Sequence, residues 1–296
     1  MSVTRVDAVP VSRWWSYIAL AKPDVTFLVV ITTVAGFYLS SRHGLAWLLL
    51  FHTLCGTMLV AGGTAALNQY VERDMDALMR RTASRPLPSG QLQPLEVLVF
   101  GVGAIFTGAV WLALGANALA ALIALATSIL YLAAYTPLKK RTPLATAVGA
   151  FPGALPPLIG WAAATGSISL GAWVLFAILF FWQFPHFMSI AWMYREDYSR
   201  AGIKMLPTID PAGDATFAQI IWTAAVLVPV TLLPALAGMA GIRYFFGALV
   251  LGMILLQIAL WANRTRTNLR AKWLMHATII HIPLLLGWMI ADKLGH

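Results

Sequence analysis

LAWLLLFHTLCGTMLVAGGTAALNQYVERDMDALMRRTASRPLPSG, residues 45–90, decides the fold class. Its first part, 45–67, contains no Asp, Glu, Lys or Arg. A helix of that length crosses a hydrocarbon core of about 30 Å, which takes about 20 residues. From Asn68 the chain turns abruptly polar. Eight further apolar runs lie at approximately 24–41, 95–114, 117–135, 144–164, 170–192, 216–237, 243–262 and 273–291. Backbone groups in lipid must pair within a helix or around a closed barrel, and these continuous runs lack the alternation of barrel strands. The chain therefore reads as all-α and polytopic, with nine transmembrane helices. No linker or low-complexity tract interrupts them, so residues 1–296 read as one domain.

Composition agrees: 60% of residues are hydrophobic and 10% charged, against about 25% charged in soluble domains. The net charge of +9 would suit nucleic acid, but its distribution has a different logic. With the N-terminus inside, the Lys and Arg residues from Arg5 to Lys272 fall on the cytoplasmic side, except Arg42 and Arg243; Lys293 also falls outside. That is the positive-inside pattern. It supports the odd helix count and predicts a multi-pass protein with the N-terminus cytoplasmic and the C-terminus on the opposite side of the membrane. The N-terminal segment carries Asp7 and lacks a small-residue cleavage pattern, so no removable leader is expected. Cys55 is the single cysteine, which excludes an intrachain disulfide and a cysteine metal site.

Two charged segments stand apart, at about 68–94 and 193–215. In the first, Asn68, Glu72 and Asp76 recur every four residues and form one helical stripe, while Asp74 points elsewhere. Carboxylates at membrane depth cost about 2.5–3.5 kcal/mol on insertion scales and normally face a cavity or a partner. An oxygen-rich stripe suits Mg²⁺, which takes one or two carboxylates and completes its shell with water and phosphate oxygens. Arg80, Arg81 and Arg85 follow at once, and guanidinium forks match diphosphate oxygens. The bland reading is a solvated, topology-setting loop. Clustering of these acids, in a chain with only 11 Asp and Glu, favours a site.

In the second segment, Asp197 with Glu196 could supply a further metal contact, and Arg195, Arg200 and Lys204 phosphate contacts, provided the two segments face each other. His186 follows Pro185, which removes a backbone hydrogen bond and can open a helix towards a cavity; packing residue and active-site residue are both open for it. Lys139, Lys140 and Arg141 follow Tyr131 and Tyr135, and Lys139 could add to a diphosphate field or simply anchor the helix. His276 and His281 are five apart, about 140° around a helix axis, and cannot grip one metal from the same face.

AKPDVTFLVV (21–30), NQYVERDMDALMRRTASRPLPSG (68–90), AYTPLKKRTPLATAVGAFPGALPPLIGW (134–161) and FPHFMSIAWMYREDYSRAGIKMLP (184–207) together resemble the UbiA-type intramembrane prenyltransferases, and within them the protohaem-farnesylating branch. The last three helices match only in hydropathy. The resemblance implies nine helices ringed around a central cavity capped by the two charged segments. It implies farnesyl diphosphate and haem B as substrates, Mg²⁺ held with the diphosphate, haem O as product and a haem A synthase as downstream partner. The implied metal contacts are Glu72, Asp76 and Asp197. Asn68 and His186 join them as catalytic positions, and Arg81, Arg85, Lys139, Arg195 and Lys204 bind substrate. The wider superfamily usually has Asp-x-x-x-Asp in both segments, whereas here the first has Glu72 and Asp76 and the second has Tyr194 and Tyr198 at the outer positions.

Two rivals remain at this level. A prenyltransferase for a quinone precursor or chlorophyllide shares RPLPSG, and a transporter also places broken helices and charges around a substrate. Against the transporter, these acids lie at one edge of the membrane and not at its midplane.

Overall fold

A computed structural model of the chain describes residues 13–41 and 44–294, so Arg5 and Arg42 of the orientation argument and Asp7 of the leader argument lie outside the described residues. Among the described residues, nine helices are long and apolar enough to cross a membrane: Pro23–Ser40, Trp47–Leu78, Pro94–Gly115, Ala118–Leu138, Ala145–Thr165, Leu170–Met193, Asp214–Leu236, Ile242–Asn263 and Asn268–Ala291. Consecutive spans touch in order, and the ninth returns to the first. The first packs along the fifth, and the sixth along the ninth.

Two boundaries differ from the hydropathy reading. The second span continues as helix to Leu78, so the first charged segment is helical for its initial residues and its loop begins at Met79. At 1.5 Å per residue its 32 residues reach about 48 Å, well beyond the roughly 30 Å hydrocarbon core. The ninth span begins at Asn268, where the Thr267 side chain accepts from the Arg270 N–H. Hydropathy locates where lipid begins, and a cap locates where the helix begins.

Small residues bring backbones together, as membrane packing requires without a hydrophobic drive between helices. A Cβ on Gly36 of the first span would lie 2.0 Å from the Pro157 carbonyl oxygen, and one on Gly160 of the fifth 1.9 Å from the Thr33 carbonyl oxygen. Only glycine fits at this crossing. The fourth span contains a π-helical turn, Leu130–Tyr135, and the Thr136 hydroxyl just after it reaches Asn68 at the second span's polar end. Before the first span, a short helix, Arg13–Leu20, exposes Trp14 and Trp15, as aromatic residues at a membrane interface do.

The two charged segments do meet. Met75 and Met79 share an apolar cluster with Ala191, Ala201, Ile203, Met205 and Tyr198, and Arg81 donates to the Tyr198 hydroxyl, while the Lys204 N–H ties the second segment to the loop after the fourth span by donating to the Lys139 carbonyl at 2.8 Å.

Candidate active site

The helical extension of the second span carries the site. Asn68, Glu72 and Asp76 are 1%, 6% and 0% exposed, whereas the Asp74 side chain points outwards beside Arg73. Three residues spaced by four thus face inward, with the charge between them left outside.

Each buried carboxylate has a cation. Lys139 Nζ lies 2.5 Å from Glu72 Oε1, and Asn68 Nδ2 donates to Glu72 Oε2 at 2.8 Å. The Thr136 hydroxyl, presented just after the π-helical turn, donates to Asn68 Oδ1 at 3.1 Å. Arg85 Nη1 donates to Asp76 Oδ2 at 2.6 Å. The other Asp76 oxygen, Oδ1, is buried with no hydrogen-bond partner. A fully enclosed carboxylate oxygen without a donor is costly and marks a position shaped for a further cation. Among the described residues no three His, Cys, Asp or Glu side chains converge on one point, so with Asp197 paired to Arg200 a metal here meets two protein carboxylates and draws its remaining ligands from a bound anion or water. That division is the ordinary one for Mg²⁺.

Burial would push the Lys139 ammonium down, but Tyr135, whose ring centroid is 4.4 Å from Nζ, and the Glu72 carboxylate outweigh it and hold the group above the usual lysine range. Lys22, which the sequence reading counted only towards topology, also belongs to this cluster. Burial pushes its ammonium down to about 7, with Arg85 and Lys139 acting in the same direction and Glu72 and Asp76 opposing them. Its backbone is left-handed, φ 47°, immediately before Pro23, where a bulky residue pays strain. Lys22, Arg85 and Lys139 set three basic groups against two carboxylates, a field that turns positive when Lys22 is protonated and then suits an anion.

The remaining expected residues divide. Arg81 reaches the second segment: its Nη2 donates to the Tyr198 hydroxyl at 3.2 Å, and its guanidinium carbon lies 5.0 Å from the Tyr194 ring centroid. Asp197 is buried and paired with Arg200, not with the Glu72 and Asp76 group. Glu196 is exposed. Arg195 is drawn the other way, donating to the Trp192 carbonyl at 2.7 Å and to Asn268 Oδ1 at 2.8 Å, so it braces the start of the ninth span. The Lys204 side chain is exposed. His186 is half-buried against the ninth span, its Nδ1 2.9 Å from Thr278 Oγ1. His276 is exposed and His281 buried, as their spacing demands. Lys22 and Thr278 carried no usable signal in sequence, because their partners lie far along the chain.

The sequence profile of the UbiA prenyltransferase family matches residues 29–282. The chain is 48% identical to the protoheme IX farnesyltransferase of Solibacter usitatus, over 94% of this chain and 99% of that protein. It is 39% identical to that of Aquifex aeolicus, over 93% and 94%. Among solved structures, the fold is similar to a digeranylgeranylglyceryl phosphate synthase, with a TM-score of 0.78 and 18% identity over 95% of this chain and 98% of that one. It is also similar to a UbiA homolog from Archaeoglobus fulgidus bound to GPP and Mg²⁺, with a TM-score of 0.66 and 15% identity over 93% and 99%. A ring of nine apolar helices with paired carboxylates and cations at one end, together with relatives matched along nearly their full length, gives one reading: this multi-pass membrane chain belongs to the UbiA prenyltransferase family, in its protoheme IX farnesyltransferase branch.

Proposed function

We propose that this chain transfers the farnesyl group of farnesyl diphosphate to a vinyl group of haem B, with addition of water, giving haem O and diphosphate. The observation that carries the reading is the pair of buried carboxylates, Glu72 and Asp76, each held by a cation. Asp76 keeps one oxygen free. Such a site recognises a metal–diphosphate unit better than it does a neutral substrate.

Glu72 and Asp76 are the proposed ligands of Mg²⁺. Asp197 is a third contact once its pair with Arg200 opens. Mg²⁺ bound there supplies charge neutralisation for the leaving group. Lys139, Arg85, Arg81 and Lys22 turn towards the diphosphate oxygens, and Asn68 holds Glu72 in place. Arg195 and Lys204 contribute field from the second segment. The bond between the allylic carbon and the diphosphate oxygen breaks, and the allylic cation is captured by the vinyl carbon. Water then adds to the new cation and a proton leaves. No strong protein nucleophile is needed, since stabilising the departing charge is the main task, and the surrounding apolar helices keep water from the first cation. His186 faces the haem in this reading.

The residues act within one intramembrane domain, with the charged end in the cytoplasm of a bacterial inner membrane and the haem product passing to a haem A synthase. The basic distribution supports this orientation.

The decisive experiment is turnover by purified protein with haem B, farnesyl diphosphate and Mg²⁺, followed by mass analysis of the porphyrin. The expected product is haem carrying one farnesyl group and one water. Unchanged haem, with prenylation of a quinone precursor under the same conditions, would refute the assignment.

Lys22 adds a pH signature. An ammonium titrating near 7 is only half charged at neutral pH, and a bound diphosphate favours its charged form. Binding therefore takes up a proton, and affinity is fully developed below pH 7 and falls as pH rises above it. Lys22→Arg stays charged throughout, so calorimetric titration of a farnesyl diphosphate analogue should show this alkaline decline in wild type and a flatter profile in the variant.

A further inference from the structure

Thr278 makes more contacts with the sixth span than packing requires. Its hydroxyl lies 2.6 Å from the Met275 carbonyl, one turn earlier in its own helix, and donates to it. A hydroxyl has a single proton, so towards His186 Nδ1, 2.9 Å away, Thr278 Oγ1 acts as acceptor. With the hydroxyl proton on the Met275 carbonyl, His186 Nδ1 carries the imidazole proton. The Thr278 carbonyl accepts from Trp182 Nε1 at 2.8 Å, and the Trp182 ring stacks on the His186 ring, centroids 5.0 Å apart and 13° between planes. Ring plane, tautomer and position are therefore all set from one residue of the ninth span and one turn of the sixth.

The opposite nitrogen is left without a protein partner. The side-chain hydrogen bond of His186 runs through Nδ1, and the residue is only partly buried, unlike the enclosed His281, so Nε2 is open to a ligand. A neutral imidazole that donates one N–H to a neighbour and offers the other nitrogen is the arrangement of a metal-ligating histidine, whose second N–H is almost always tied to a fixing group.

We propose that Thr278 is a positioning residue that holds His186 as the Nδ1–H tautomer and presents Nε2 as the axial nitrogen for the iron of the haem substrate. This rests on the reading of haem B as acceptor. Axial ligation orients the porphyrin plane and so aims one vinyl edge at the allylic carbon, the form of catalysis that fixed geometry supplies.

The test uses full-length protein and haem B without farnesyl diphosphate, read by absorption and electron paramagnetic resonance spectra and by haem affinity. Wild type and Thr278→Ser should show imidazole-ligated iron. His186→Ala should lose that signature and regain it with free imidazole. Thr278→Val, nearly isosteric but without the acceptor, should bind haem about 10–100-fold more weakly. Wild-type affinity and spectrum in Thr278→Val overturn the positioning role, and an imidazole signature surviving in His186→Ala overturns the ligand assignment. If either occurs while wild type still forms haem O, only this proposal fails; if wild type neither binds nor converts haem, the acceptor reading fails with it.

Discussion

Asp76→Ala is expected to slow farnesyl transfer by about 100-fold or more while the protein remains folded and inserted. The Asp76 side chain is enclosed, with one oxygen on Arg85 and the other without a donor. Removing it deletes one of the proposed metal ligands and frees Arg85, whose side chain is 22% exposed and long enough to place its charge in water. The stability cost is therefore small compared with the catalytic one. The check is Mg²⁺ dependence of turnover in wild type and variant, alongside thermal unfolding and Mg²⁺-dependent binding of inorganic diphosphate. Normal turnover with a normal Mg²⁺ response in the variant, or full wild-type activity in chelator, would remove the metal–diphosphate role from this stripe.

The second large effect concerns the Glu72–Lys139 pair, whose side chains are 8% and 12% exposed. Lys139→Met leaves Glu72 buried without its cation, a loss of about 3–5 kcal/mol in stability. The double variant Glu72→Gln/Lys139→Met should recover most of that loss, because neither buried group then carries charge. Neither variant should regain transfer, since both lack a cation for the diphosphate. Unfolding of the single and double variants in the same detergent, combined as a thermodynamic cycle, separates the two roles. Equal stability of Lys139→Met and wild type would show that the pair does not hold the second and fourth spans together.

Much of this molecule was legible in one dimension because a membrane imposes a one-dimensional rule. Every backbone group must pair within its own helix, and about 20 apolar residues are needed to cross. Nine spans and the inward stripe Asn68, Glu72 and Asp76 follow from counting along the chain. The exposed Asp74 follows in the same way. Partners did not follow. Lys139 meets Glu72, Lys22 joins the same field and Thr278 meets His186 only because helices distant in sequence cross in space. Arg195 and Lys204 sit in a basic run that reads as uniformly as that of Arg81 and Arg85, yet Arg195 braces Asn268 and Arg81 binds Tyr198. Helical periodicity fixes which face a side chain occupies, whereas the crossing of helices at contacts such as Gly36 on Pro157 decides what that face meets.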